Sequence, residues 1–254
     1  MSADCAPDNL KLVATGKLTV GTDSPAFQPW FKDDTPSNGQ GFESAVAYAV
    51  AAKLGFAPEA VTWKVVKFDT SYAPGKKDFD FDINQVSITD ERKAAIDFSD
   101  GYYDANQALV AFADSKVAAA KSIADLKTAK LGAQQGTTSY EFIKSVIKPD
   151  SEPFIYNDNA GAKAALAAKQ IDGIVLDLPT AFFVSAVEIE GSKVVGQFET
   201  TQGGKPEQFG MVFEKGNPLK ACVNEAIAML KSSGELANIQ LTQLSEATSA
   251  PVLK

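Results

Sequence analysis

The sequence contains no histidine, and Arg92 is the only arginine among its 24 basic residues. Without histidine, Ser-His-Asp and Cys-His catalytic machinery is excluded, and the commonest metal ligand is absent. Two cysteines are too few for the usual Cys/His zinc sites, so no metal is expected. The chain carries a net charge of −8 and lacks long basic runs, which makes it a poor candidate for binding nucleic acid.

Long apolar segments are also missing, since no run approaches the roughly 20 residues that a membrane span needs. Met1-Ser2-Ala3 leads straight into Asp4 without an apolar leader, so we expect that any export signal has been removed. What remains is a chain with 45% hydrophobic and 22% charged residues, as in ordinary folded domains. Its 254 residues allow one large domain or two smaller ones.

The two cysteines allow two interpretations. Cys222 lies on the apolar stripe of a predicted helix, whereas Cys5 lies in an irregular N-terminal segment. They are either two unrelated buried thiols or a disulfide that fixes the N-terminal tail. A disulfide would indicate an oxidising compartment outside the cytoplasm.

Short β-like runs alternate with amphipathic helices, a pattern typical of α/β folds. Strands are predicted at 17–21, 61–68, 79–86, 129–134 and 171–176. Helices are predicted at 41–54, 138–146, 160–168 and 179–187. A last helix begins with Asn217 as its cap and Pro218 at its first position. Its apolar stripe consists of Leu219, Cys222, Val223, Ala226, Ile227 and Leu230.

Two further strand-like runs, 107–112 and 208–213, interrupt this alternation. If the chain crosses between two lobes there, the middle third forms one lobe and the two ends combine into the other. We therefore predict a discontinuous first lobe of 1–105 and 208–254, and a second lobe of 106–207. No flexible linker is needed, because the crossover strands would serve as the hinge.

The densest polar segment runs from Gln85 to Tyr103, through a hydroxyl-rich turn into a short helix. Ser87 and Thr89 are candidates for helix caps, and Arg92 is a candidate for an ordinary surface ion pair. The alternative is that Arg92 recognises a carboxylate or phosphate. A planar guanidinium fork binds such groups in a bidentate manner that lysine cannot copy.

This segment also carries a family resemblance. Ser-Ile-Thr-Asp-Glu-Arg, followed by Asp-Phe-Ser-Asp-Gly-Tyr-Tyr, closely resembles the periplasmic polar amino-acid-binding proteins of ABC importers. That group includes glutamine- and lysine/arginine/ornithine-binding proteins. Four other segments match the same family in the same order, namely 21–30, 41–43, 131–138 and 171–177.

The resemblance implies an α/β fold of two lobes, the type II periplasmic-binding-protein fold, with two crossover strands and an amino acid bound in the cleft between the lobes. It also implies a monomer without a cofactor that delivers its ligand to an ABC permease. The expected location is periplasmic or extracellular, after a cleaved signal peptide or with a lipid anchor.

The resemblance also indicates which residues would bind the charged groups of the ligand. Arg92, helped by Ser87, would hold the α-carboxylate from the first lobe. Thr137 and Thr138 would contribute from the second lobe. Asp177 would accept hydrogen bonds from the α-ammonium group.

By the same resemblance, a second set of residues would contact the ligand's side chain. Asp23 would approach its polar end, and Phe27 and Phe68 would enclose its aliphatic part. Gln85 stands where the family often has a small residue, which narrows the pocket and adds an amide. Asp23 and Gln85 favour a polar or cationic side chain, because an apolar one would leave these groups poorly paired.

Structural roles compete with two of these assignments. Thr138 with Glu141 forms a capping-box pattern, so Thr138 is also a candidate for a helix cap. The same strand-to-helix junction presents backbone N–H groups that favour an anion. Asp177 precedes Pro179 and is also a candidate for a helix-start residue.

The sequence therefore predicts a binding protein for a polar or cationic L-amino acid. One alternative is an enzyme on the same scaffold, a cyclohexadienyl or arogenate dehydratase. Such an enzyme needs an acid near the arginine, and both candidate acids, Asp23 and Asp177, match binding positions. A detached sensor ligand-binding domain is a third possibility.

Overall fold

The computed structural model describes residues 1–202, 205–244 and 250–254. The chain divides into two compact units. Unit 1 comprises Met1–Asp104 and Glu207–Ser245, and unit 2 comprises Ala105–Pro206 and Glu246–Lys254. Each unit contains helices and a five-stranded sheet, so the predicted α/β class is confirmed.

The first part of unit 1 alternates strands with helices: β1 (Leu18–Thr22), α1 (Phe42–Lys53), β2 (Val61–Val65), α2 (Phe68–Ser71), β3 (Phe81–Asp82), α3 (Asp90–Ala95), β4 (Asp97–Phe98) and β5 (Tyr103–Asp104). Unit 2 then contributes β6 (Gln107–Phe112), β7 (Leu131–Gln134), α4 (Thr138–Phe142), β8 (Phe154–Tyr156), α5 (Asn159–Ala167), β9 (Gly173–Asp177), α6 (Leu178–Phe183), β10 (Ser192–Phe198), β11 (Thr201–Gln202) and β12 (Lys205–Pro206). The chain returns to unit 1 with β13 (Gln208–Phe209), β14 (Val212–Phe213), α7 (Leu219–Ser232) and α8 (Glu235–Gln243).

The main sheet of unit 1 has the strand order β2-β1-β3-β14-β4. β1 is parallel to β2 and β3, whereas β14 is antiparallel to β3 and β4. Every residue of β1 is buried, which is typical of a strand covered on both faces. This strand ends directly before Asp23, so it places that predicted site residue at the carboxyl end of β1.

The sheet of unit 2 has the order β10-β6-β9-β7-β8 and is also covered on both faces. Leu109 and Ala111 of β6 enter one apolar cluster, while Ala108 and Val110 enter another. This alternation follows from the two-residue period of a strand. β6 pairs antiparallel with β9, and the pairing sets Gln107 opposite Asp177.

Residues 250–254 belong to unit 2. This corrects the end of the segment 208–254, which was predicted to lie wholly in the first lobe. Val252 forms a parallel bridge with Gln197 of β10. Leu253 is buried in a cluster that includes Val195 and Phe198. So short a segment has no periodic pattern from which its partner strand can be predicted.

Of the two interpretations of the cysteines, the structure contains the disulfide. The Sγ atoms of Cys5 and Cys222 are 2.01 Å apart, and 217 positions separate the two residues in sequence. Cys5 lies in a short 3-10 helix, and Cys222 lies on α7. The bond therefore fixes the N-terminal segment to this helix.

The last predicted helix is confirmed as α7, and all six residues of its apolar stripe are buried. The predicted cap is wrong by one position, because the helix begins at Leu219 and Pro218 is its N-cap. The Asn217 side chain still accepts a hydrogen bond from the Leu219 N–H at 3.0 Å. The predicted strand 61–68 is wrong at its end, because the ladder stops at Val65 and Phe68 begins α2. The predicted strand 79–86 is likewise reduced to the two residues of β3.

Candidate functional site

The turn before α3 holds Arg92 in place. Thr89 is the N-cap of this helix, and its hydroxyl accepts a hydrogen bond from the Arg92 N–H at 3.2 Å. The Arg92 side chain folds back, and its Nη1 donates to the Ser87 carbonyl at 2.7 Å. Thr89, rather than Ser87, therefore caps the helix, and the backbone of Ser87 orients the guanidinium group.

Aromatic rings cover the guanidinium of Arg92, a residue that is only 8% exposed. Its Cζ lies 4.5 Å from the ring centroid of Tyr72 and 5.5 Å from that of Phe68. Burial lowers the pKa of Arg92, whereas electrostatic interactions with Tyr72 and Glu207 and a hydrogen bond with Tyr72 oppose this shift. Arginine stays protonated in proteins, so the site contains a buried cation backed by π faces.

Asp23 and Phe68 meet at the start of α2. The Asp23 carboxylate accepts a hydrogen bond from the Phe68 N–H at 3.1 Å and another from the Ser24 N–H at 2.7 Å. Partial burial raises the pKa of Asp23, although both hydrogen bonds act in the opposite direction. Unit 1 thus brings three predicted residues together, because Phe68 contacts both Asp23 and the arginine.

Phe27 lies in the loop that follows β1. Its side chain is half-buried, and its carbonyl accepts a hydrogen bond from Phe31 at 3.0 Å. The same loop contains two cis peptide bonds, Ser24-Pro25 and Gln28-Pro29. The enclosure of a ligand by Phe27 and Phe68 stays a prediction.

Gln85 turns toward helix α1. Its φ is +49°, and its backbone N–H donates to the Glu43 carboxylate at 2.7 Å. Its side-chain amide also donates to Glu43, which accepts a further hydrogen bond from the Tyr102 hydroxyl. Burial raises the pKa of Glu43 to about 7, against the effect of these hydrogen bonds. The donor that we expected Gln85 to add to the pocket is therefore already bonded to Glu43.

A second buried acid, Asp82, lies at the end of β3. Within the described residues, neither of its carboxyl oxygens has a hydrogen-bond partner. Burial raises its pKa well above the ordinary value, and the nearby charges of Glu43 and Asp23 add to the shift, while Lys77 opposes it. Burial and two neighbouring acids therefore act together to favour the protonated form of Asp82.

The Ser87 hydroxyl donates to the Glu207 carboxylate at 2.6 Å. Glu207 is only 1% exposed and directly precedes β13, where Phe209 forms a β-bridge with Ser87. We expected Ser87 to help hold a ligand carboxylate, but its hydroxyl proton is directed to Glu207. Sequence reasoning missed Glu207, and its position just before the 208–213 run was the available indication.

In unit 2, Thr137 caps α4. Its hydroxyl accepts a hydrogen bond from the Tyr140 N–H at 3.1 Å and donates to the Gln134 carbonyl at 2.7 Å. The cap is thus Thr137 and not Thr138, which corrects the capping-box prediction. The turn before it contains Gly136 at φ +73°, a left-handed conformation that glycine adopts without strain.

Gln107 connects the other predicted residues of unit 2. Its fully buried side chain donates to the Asp177 carboxylate at 3.1 Å and reaches the Thr138 hydroxyl at 3.5 Å. Its carbonyl oxygen accepts a hydrogen bond from the Ser139 hydroxyl. Gln107, which sequence reasoning missed, therefore contacts both Thr138 and Asp177, while their binding of a ligand stays a prediction. A glutamine at the start of an otherwise apolar strand was the indication.

Neither a metal site nor a membrane span is found in the part of the chain that the structure describes. Over those residues, no three acidic or cysteine side chains are grouped so that they could hold a metal ion. No described helix is long and apolar enough to cross a lipid bilayer.

Comparison with known proteins matches residues 18–244 to the model of the bacterial extracellular solute-binding proteins, family 3. The L-cystine-binding protein TcyJ of Escherichia coli strain K12 is 30% identical over 229 residues, which cover 89% of this chain and 82% of that protein.

Two solved structures are similar over almost the whole chain. An ancestral arginine-binding protein bound to glutamine is 32% identical with a TM-score of 0.75, covering 92% of this chain and 100% of that one. The ancestral amino-acid-binding protein AncCDT-1, a precursor of cyclohexadienyl dehydratase, is 29% identical with a TM-score of 0.73, covering 90% and 95%.

Proposed function

Because the chain belongs to the bacterial extracellular solute-binding proteins of family 3, we propose that it captures a free polar or cationic L-amino acid and delivers it to an ABC permease. The predicted family and its two-lobe α/β fold of type II are confirmed by the family match and the solved neighbours. The ligand, its contacts and the permease are our proposals.

One observation carries this proposal, namely the buried Arg92 guanidinium held against Tyr72 and the Ser87 carbonyl. A guanidinium fixed in this way suits the α-carboxylate of an amino acid, because the planar fork forms two parallel hydrogen bonds. Thr137 and Thr138 of unit 2 would bind the same carboxylate. Asp177 would bind the α-ammonium group.

The charges around the proposed ligand favour a cationic side chain. In the proposed site, Asp23 and Asp177 would contribute two negative charges against the single positive charge of Arg92. A ligand with a net charge of +1, such as arginine or lysine, would balance this set. The flat faces of Phe27 and Phe68 would contact the aliphatic stem of such a side chain. The similarity to an arginine-binding protein that also accommodates glutamine supports the same ligand class.

Isothermal titration of the protein, freed of co-purified ligand, against the twenty amino acids tests the proposal. We expect at least one polar or cationic amino acid to bind with a dissociation constant in the micromolar range or below. If none binds more tightly than millimolar, the proposal is wrong. Native mass spectrometry of the untreated protein would identify a co-purified ligand independently.

We further propose that the protein acts as a monomer outside the cytoplasmic membrane. The disulfide between Cys5 and Cys222 supports this location, because disulfides persist in oxidising compartments. Light scattering in the presence and absence of ligand would test the monomeric state, and a dimer in both conditions would contradict it.

The similarity to a precursor of cyclohexadienyl dehydratase makes an enzyme the second candidate. We propose binding without catalysis, because Asp23 and Asp177 are already engaged with the Phe68 N–H and the Gln107 amide. Incubation with prephenate and arogenate, monitored for aromatic products, is the test. Product formed faster than in buffer alone would favour the enzyme.

A further inference from the structure

Glu207 is a buried carboxylate at the point where the chain re-enters unit 1. One of its oxygens accepts a hydrogen bond from the Ser87 hydroxyl at 2.6 Å. The backbone on either side of this contact is fixed, because the Ile88 N–H donates to the Gln208 carbonyl at 2.8 Å and the Gly210 N–H donates to the Val86 carbonyl at 3.1 Å. The carboxylate is therefore built rigidly into the segment that leads to Arg92.

Ser87 links this carboxylate to the arginine. Its hydroxyl is bonded to Glu207 and its carbonyl to the Arg92 guanidinium. The negative charge of Glu207 also acts directly on Arg92, as does that of Glu91, which is exposed to solvent. Solvent screens an exposed charge far more than a buried one, so Glu207 is the effective anion of the two.

A buried guanidinium is costly unless a negative charge compensates it. Glu207, linked to Arg92 through Ser87, is the buried carboxylate placed to supply that compensation. An amino acid bound at Arg92 would bring a second carboxylate to the same cation, and the two carboxylates would repel each other. The protein therefore holds, within its own chain, an anion of the same kind as the group that Arg92 is proposed to recognise.

We propose that Glu207 is a positioning residue of the ligand site, the resident counterion of Arg92 that competes with the ligand's α-carboxylate. The inference rests on the proposed function in placing that carboxylate at Arg92. It also redefines the role of Ser87. Since a carboxylate only accepts hydrogen bonds, the Ser87 hydroxyl donates to Glu207 and offers the ligand lone pairs instead of a proton.

The variant Glu207→Gln tests the competition, because it keeps the shape and an acceptor for Ser87 but removes the charge. We expect it to bind L-arginine and L-glutamine about tenfold more tightly than the unmodified protein in isothermal titration. Agmatine, which lacks the carboxylate, should show no gain. A general loss of negative charge would instead weaken the binding of a cation such as arginine, so tightening identifies competition at Arg92.

The matched control is Asp80→Asn. Asp80 is another buried carboxylate of unit 1, and it accepts hydrogen bonds from the Val13 N–H at 2.8 Å and the Thr19 N–H at 2.7 Å. This variant should lose stability without any change in affinity. A merely structural role of Glu207 predicts that both variants behave alike, or that Glu207→Gln binds more weakly. Either outcome would overturn the proposal.

A measurement without ligand separates this inference from the proposed function. Glu207→Gln should lower the melting temperature by roughly 5 °C. In an Arg92→Gln background the same substitution should lower it by less than half as much, because no cation is left to compensate. Equal losses in both backgrounds would refute the counterion role, whereas an unmodified protein that binds no amino acid would refute only the proposed function. If Glu207→Gln fails to fold, Glu207→Asp replaces it, because the shorter side chain moves the charge away from Arg92. This variant should bind L-arginine more tightly than the unmodified protein, by less than tenfold. Unchanged affinity would refute the proposal.

Discussion

The Gln107 side chain donates a hydrogen bond to the Asp177 carboxylate at 3.1 Å, between residues that the β6–β9 pairing sets opposite each other. The same amide accepts from Ser139 and reaches Thr138, so a single buried side chain orders three polar groups of unit 2. A fully buried amide of this kind fixes the orientation of its partners, because turning it away would break these hydrogen bonds inside the protein.

Gln107→Leu should therefore weaken amino-acid binding by about tenfold and lower the free energy of unfolding by about 1–3 kcal/mol. Titration calorimetry and urea unfolding measure the two effects. Gln197→Leu is the control, since Gln197 also has a side chain bonded within unit 2, to Asn106 at 2.9 Å and to the Ala250 carbonyl at 2.7 Å. The same loss of affinity in both variants would show that Gln107 acts only through stability.

Arg92→Lys should reduce amino-acid affinity by about 100-fold and leave the circular dichroism spectrum unchanged. A lysine ammonium keeps the charge but cannot form the two parallel hydrogen bonds of the guanidinium. Lys93→Met is the control on the neighbouring position, where the side chain forms an exposed ion pair with Asp90 at 3.1 Å. Unchanged affinity in Arg92→Lys would remove Arg92 from the site.

The protein should lose stability as the pH rises from about 4.5 to about 7. In this window the folded state keeps Glu43 protonated, because its pKa is raised from 4.5 to about 7, whereas the unfolded chain releases the proton. The folded state thus binds more protons, and the free energy of unfolding falls with pH by an amount on the order of 3 kcal/mol for Glu43. The raised pKa of Asp82 contributes in the same direction.

Urea unfolding at pH 5 and pH 8 measures how the free energy of unfolding changes with pH. Glu43→Gln should flatten it, since the amide does not titrate, while Glu59→Gln at an exposed position should leave it intact. A protein equally stable at both pH values would contradict the prediction.

Reduction of the Cys5–Cys222 disulfide should lower the free energy of unfolding by about 4–5 kcal/mol on the chain-entropy model, because the bond closes a loop of more than 200 residues. Urea unfolding with and without reductant measures the effect. The double variant Cys5→Ala/Cys222→Ala should be less stable and insensitive to reductant. An unmodified protein equally insensitive to reductant would rule out the contribution.

Periodicity predicted the elements that bury a regular stripe and failed where burial is irregular. All six stripe residues of α7 are buried, so this helix could be predicted. Helix α8 could not, since Leu236 is its single residue described as buried. The run 79–86 looked like a strand because it is rich in apolar residues, yet only Phe81 and Asp82 enter the ladder. Apolar content indicates burial, and hydrogen-bond pairing depends on neighbours distant in sequence.

The candidate site was predictable only to the extent that its residues lie in recognisable local segments. Arg92 and Asp23 stand in such segments. Glu207 does not, and its contact with Ser87 joins residues 120 positions apart. The engagement of Gln85 by Glu43 was hidden for the same reason, since 42 positions separate them. A sequence shows which side chains are polar, whereas the choice of partner for each buried polar group is made by the fold.

The return of the C-terminal residues to unit 2 has a consequence for the order in which the protein is made. Pro251 and Leu253 form backbone hydrogen bonds with Gln197 at 2.8 and 2.9 Å, and the Lys254 carbonyl accepts from Ile123 at 3.1 Å. Residues 105–206 therefore leave the ribosome before the segment that completes their core. Unit 2 is therefore complete only once residues 251–254 have been made, and an isolated fragment of 105–206 would lack Leu253 from its buried cluster.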